Sequence, residues 1–70
     1  MRERQQRIYE FILKYIRENQ YSPTIREIAV AVGLKSPSTV HGHLDRMRDK
    51  GIIDFVDSLP RTIRILECAR

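Results

Sequence analysis

Apolar side chains recur at helical spacing in three segments of this chain and alternate with polar ones near its C-terminus. Over residues 4–19, Ile8, Phe11, Ile12, Tyr15 and Ile16 return every three or four positions, which places them on one helical face and leaves Arg7, Lys14, Arg17 and Glu18 largely outward. Ser22 precedes Pro23, and a residue before proline is biased away from the helical region, so this helix ends before it. Tyr21 in the break is expected to act as a lid over the core. Thr24 and Glu27 have the spacing of a capping box at the start of a second helix, along which Ile25, Ile28, Ala29 and Val32 form one apolar stripe. Gly33 can end that helix in the left-handed conformation, with Leu34 packing back beneath it. Ser36 then serves as an N-cap and Pro37 as a first helical residue, opening a third helix over residues 37–50 with Val40, Leu44 and Met47 inward and Gly51 beyond its end. After Gly51 the period changes to two. Ile53 and Phe55 alternate with Asp54, and Ile63 and Ile65 alternate with Thr62, Arg64 and Leu66, so two short strands flank a turn over residues 57–61.

Two helices joined by a tight glycine turn form a helix-turn-helix, a motif that lays its second helix in the DNA major groove with N-terminal residues against base edges. The two strands then add a wing, giving a mainly α (α+β) fold: a winged helix-turn-helix of three helices followed by a two-stranded antiparallel hairpin, one domain over residues 1–70. With Val40 and Leu44 inward, Ser38, Gly42, Asp45 and Asp49 lie on the opposite side, with Thr39, His41 and Arg46 flanking them. Because the helix N-terminus enters the groove, the base-proximal set is Ser36, Ser38, Thr39, His41 and Gly42. Hydroxyls donate and accept, a histidine can donate to a purine acceptor, and a glycine lets the backbone approach the groove closely. Backbone phosphates are expected to meet Arg4 (with Arg2 and Arg7) near the first helix start, Thr24 and Ser36 at helix N-termini, Lys35 in the turn, Lys50 at the helix end and Arg61 at the wing tip. His43 lies beside the inward stripe and is expected to be packed. His41 and His43 do not suggest a metal pair, because residues two apart on a helix project about 200° from each other.

The runs Ser22-Pro23-Thr24-Ile25-Arg26-Glu27-Ile28, Gly33-Leu34-Lys35-Ser36 and Ser38-Thr39-Val40-His41-Gly42-His43-Leu44 closely resemble the N-terminal DNA-binding domain of the LexA repressors, the bacterial SOS regulators. The resemblance extends from Arg4-Gln5-Gln6 to Pro60-Arg61-Thr62-Ile63-Arg64-Ile65-Leu66. It implies sequence-specific binding to an inverted-repeat operator, direct readout by the third helix, and a bacterial, cytoplasmic, nucleoid-associated protein. Small and histidine residues stand where some members carry acidic ones, so the operator need not be shared across the family. Those repressors also carry a C-terminal Ser/Lys self-cleavage domain, to which nothing here corresponds; the chain is a lone module or part of a longer repressor. RecA is accordingly a partner only if a longer parent carries that domain. Dimerisation in the family rests largely on it too, so the expectation is a monomer in solution that pairs on DNA.

Composition narrows the alternatives. A net charge of +4 and a pI near 9.7 favour a polyanionic partner, although many small domains carry such charge for solubility alone. The single cysteine, Cys68, suits a reducing compartment and reads as a surface thiol. No apolar run approaches the ~20 residues of a membrane span. No Ser-Lys or Ser-His pair, paired acids or phosphate-cradling glycine loop supports an enzyme, and no cofactor or metal is expected. The second reading is a winged-helix protein-interaction module without specific DNA binding, which would tend to expose an apolar patch in place of a hydroxyl-rich third helix.

Overall fold

The computed structural model describes residues 3–66; Arg2 and Cys68, singled out above, lie outside them. Three helices, α1 (Glu3–Asn19), α2 (Ile25–Val32) and α3 (Pro37–Asp49), precede two strands, β1 (Ile53–Asp54) and β2 (Arg64–Ile65). The strands pair antiparallel with Ile53 opposite Ile65 and Asp54 opposite Arg64. This is the winged helix-turn-helix expected from the periodicities.

Local chemistry explains the boundaries. The Thr24 hydroxyl accepts the Glu27 N–H at 3.1 Å while the Glu27 carboxylate accepts the Thr24 N–H at 2.9 Å, completing the capping box. At the other end of α2, Gly33 adopts φ 76° and the Leu34 N–H donates to the Ala29 carbonyl at 2.9 Å, with the Gly33 N–H reaching Val30 at 3.3 Å. These two bonds are a Schellman closure, and they turn the chain directly into α3. The same closure ends α3: Gly51 at φ 77° donates to Arg48 at 3.0 Å and Ile52 to Met47 at 3.1 Å. Ser36 caps the start of α3 by accepting the Ser38 N–H at 3.2 Å.

Ile8 and Ile12 of α1, Ile28 and Ala29 of α2, Val40, Leu44 and Met47 of α3, and Ile53, Phe55 and Ile63 of the wing share one buried core. Each fully buried aliphatic side chain contributes roughly 1.5–3 kcal/mol of transfer free energy, so all three helices and the wing hold one another in place. Gln5, overlooked by the apolar pattern, is also buried. Tyr21 does not lid the core: it is 50% exposed and packs edge-on against Tyr15. The regular pairing in the wing is short because the Thr62 hydroxyl replaces the ladder, accepting the Val56 N–H at 2.9 Å within reach of the Val56 and Leu59 carbonyls. Ser22 ties the wing to the α1–α2 connection by accepting the Ile63 N–H at 3.2 Å. Among the described residues, no helix is long and apolar enough to cross a membrane.

Candidate nucleic-acid interface

The inward stripe of α3 fixes what its other faces present. Val40, Leu44 and Met47 are fully buried, so Ser38 and Thr39 are left exposed and His41 and Gly42 half-buried. Steps of three and four residues place Thr39, Gly42, Arg46 and Asp49 on one exposed strip of the helix. Arg46, which the sequence reading left on the flank, thus shares a face with Thr39 and Gly42 and makes no ion pair among the described residues. Its spacing of seven from Thr39 was the available signal. Gly42 has no positive φ, and a Cβ there would meet nothing within 4 Å. Neither backbone strain nor internal packing requires a glycine at this position.

A groove of about 470 Å³ opens between the first residues of α2, the N-terminal half of α3 and the wing. It brings together Thr24, Ser38, His41 and Arg61 from the sequence-derived set and adds Arg26, an exposed cation on the first turn of α2. Two helix N-termini border this groove with the positive ends of their dipoles, which favours an anion, although α3 offers no free first-turn amide there: Pro37 has none, and the Ser38 and Thr39 N–H groups donate to Ser36. Lys35 is exposed in the turn, and Lys50 is exposed at the C-cap of α3. Lys50 therefore lies at the opposite end of α3 from Ser36, about 20 Å away at 1.5 Å per residue. Arg4 is exposed on the first turn of α1, away from the groove.

Arg61 is already engaged. Its guanidinium contacts Glu27 at 3.1 and 3.2 Å, donates to the Ser22 carbonyl at 3.0 Å and the Tyr15 hydroxyl at 3.2 Å, and sits 4.9 Å from the Tyr21 ring centre. The wing is thereby strapped to α1 and to the cap of α2. The Glu27 carboxyl is held below its ordinary value, chiefly by the Thr24 backbone N–H and, against partial burial, by Arg61. Arg61 is pushed above its usual range, first by the bond to Tyr15 and then by Glu27. This strap, missed from the sequence, neutralises the one carboxylate on the first turn of α2.

A second ionic cluster joins α3 to the wing. The His41 Nε2 lies 3.3 Å from Asp57 Oδ1 and its Nδ1 3.7 Å from Asp45 Oδ2. Arg48 reaches Asp45 at 2.7 Å, the Phe55 carbonyl at 3.0 Å and the same Asp57 oxygen at 3.4 Å. The Phe55 ring packs against both, with the Arg48 guanidinium 4.2 Å from its centre and the His41 ring perpendicular to it at 5.7 Å between centres. His41, Asp45 and Asp57 bring their ligand-type atoms within 4.8 Å of one another. The Arg48 guanidinium supplies the positive charge between the two carboxylates, which disfavours a second cation there. His43 is half-buried on the flank of the α3 core stripe.

Residues 1–62 match the family described as the LexA DNA binding domain. The chain is 52% identical over 64 residues to a LexA repressor of Clostridium tetani, covering 91% of this chain and 32% of that protein. It is 56% identical over 63 residues to one of Listeria welshimeri, covering 90% and 31%. A LexA repressor of Brevibacillus brevis is 54% identical over 63 residues, covering 90% and 30%. The chain thus spans about a third of the length of the curated relatives it matches.

Proposed function

From the premise that this chain belongs to the LexA DNA-binding domain family, we propose that it is a sequence-specific double-stranded DNA-binding module of a transcriptional repressor, with α3 in the major groove of an inverted-repeat operator. The observation that carries the reading is the exposed strip of α3. Thr39, a glycine without structural cause and an arginine that makes no ion pair among the described residues stand there, beside a groove bordered by two helix N-termini. Ser38, Thr39, His41 and Gly42 face base edges, Ser36 borders them at the cap, and Arg46 extends the reading strip. Thr24, Arg26, Lys35, Lys50 and Arg61 surround it as phosphate contacts, with Arg4 the most distant. Phosphate contacts set register and base contacts set sequence, so the two groups separate by mutation.

The protomer is a monomer in dilute solution and pairs on the operator, where a bound neighbour raises local concentration and two α3 helices read half-sites about one helical turn apart. Among the described residues, the large exposed apolar side chains, Tyr21, Val30, Val56 and Leu59, are divided between the α1–α2 connection, α2 and the wing. RecA-dependent inactivation would belong to a longer parent carrying a cleavage domain. The test is selection of bound duplexes from a random pool, followed by salt titration of the best and a scrambled duplex. With about four to six phosphate contacts, log affinity falls with log salt by about 0.9 per contact, and the best duplex stays ahead throughout. Equal affinity for the two at every salt concentration rejects specific reading; a stable dimer at low micromolar protein without DNA, seen by sedimentation equilibrium, rejects the monomer.

A further inference from the structure

We propose that Asp57 and Arg48 are positioning residues for His41, so that base preference at the pair read by His41 is set partly by the wing. The inference rests on the DNA-reading role assigned to α3 above. His41 and Arg48 both approach a single oxygen, Asp57 Oδ1, at 3.3 and 3.4 Å, and this oxygen comes from the wing rather than from α3. An imidazole on an exposed helix turn has several rotamers of similar energy. Here three groups surround the ring: Asp57 at Nε2, Asp45 at Nδ1 and the Phe55 ring, perpendicular to it at 5.7 Å between centres. When Nε2 carries the proton it donates to Asp57, which fixes the ring orientation; the base-reading atom is then Nδ1, 3.7 Å from Asp45 and able to accept from a base amino group rather than donate to a purine. Arg48 holds the frame, because its planar fork spans Asp45, Asp57 and the Phe55 carbonyl while stacking on the Phe55 ring. A lysine at that position keeps the charge but cannot span those acceptors. The two acids would otherwise repel phosphates beside the groove; Arg48, paired with both, offsets part of that charge.

The test measures binding of the full chain to its best selected duplex and to every single-base-pair variant of it. Variants are His41→Ala, Asp57→Ala, Asp57→Asn, Arg48→Lys and the double change His41→Ala with Asp57→Ala. Asp57 is an exposed turn residue, so its removal leaves the core untouched. His41→Ala is expected to lose discrimination at one base pair per half-site. Asp57→Ala and Arg48→Lys lose about three- to tenfold of the discrimination at that same pair and leave other positions unchanged. Asp57→Asn retains an acceptor oxygen and recovers most of it, and the double variant is no worse than His41→Ala alone. A purely structural role for Asp57 would instead weaken all duplexes alike. Additive losses in the double variant overturn the proposal, as does unchanged discrimination in Asp57→Ala or in His41→Ala. If the unaltered chain shows no preference among duplexes, DNA reading itself has failed; preference that survives loss of Asp57 removes only the positioning role.

Discussion

Replacing Gly42 with alanine moves stability and DNA binding in opposite directions. Gly42 lies inside α3, has no positive φ and leaves the space around a would-be Cβ empty to 4 Å. A mid-helix glycine of this kind costs roughly 0.5–1 kcal/mol relative to alanine, through backbone entropy alone. With no steric penalty to set against that gain, Gly42→Ala stabilises by about that amount. For a domain of this size about 1 kcal/mol corresponds to a rise in Tm of roughly 4–8 °C. The same methyl stands on the reading strip beside Thr39 and Arg46, where a groove-bound helix backbone comes closest to base edges. A loss of about tenfold in affinity for the best duplex, about 1.4 kcal/mol, is the expected result. Thermal unfolding followed by circular dichroism and titration of a labelled duplex by fluorescence anisotropy measure the two quantities on the same samples. Tighter folding with undiminished binding would show that this face of α3 does not enter the groove. Lower stability would show that the glycine has a structural purpose that its surroundings do not reveal.

The remaining expectations concern the turns, the strap and the phosphate contacts. Gly51→Ala places a side chain at φ 77° with nothing within 4 Å, so it costs about 1–2 kcal/mol from backbone conformation alone, measured by urea unfolding, while binding by the folded fraction is unchanged. Acid unfolding reports the Glu27 carboxyl, whose folded-state value lies below its ordinary 4.5. Its stabilising contribution is present above the unfolded value and is lost as pH falls through the folded one, because the unfolded chain then binds more protons. Glu27→Gln removes that contribution at neutral pH and flattens stability against pH in the acid limb; an unchanged limb refutes the pairing. Arg26→Ala reduces the salt slope by about one unit, whereas Arg61→Ala, already committed to Glu27, reduces it by less. A larger drop for Arg61 than for Arg26 in the same salt titration would show that the strap opens on DNA.

What was legible in the sequence is what short-range chemistry decides. Thr24 and Glu27 are three residues apart, Gly33 and Gly51 each close the helix just before them, and the apolar stripes return every three or four residues. The unread parts depend on residues that meet only after folding. Arg61 and Glu27 are separated by 34 positions and His41 and Asp57 by 16, and no periodicity announces either pair. Gln5 escaped because a polar residue beside an apolar stripe has no pattern that marks it as buried. The chain carries 13 lysines and arginines, and the sequence weighs them alike. Folding commits Arg48, Arg61 and Arg64 to Asp45, Asp57, Glu27 and Asp54, while Arg26, Lys35, Arg46 and Lys50 make no ion pair among the described residues. A cation already facing a carboxylate holds few counterions for DNA to displace, so the electrostatic part of binding follows these uncommitted cations and not the net charge of +4.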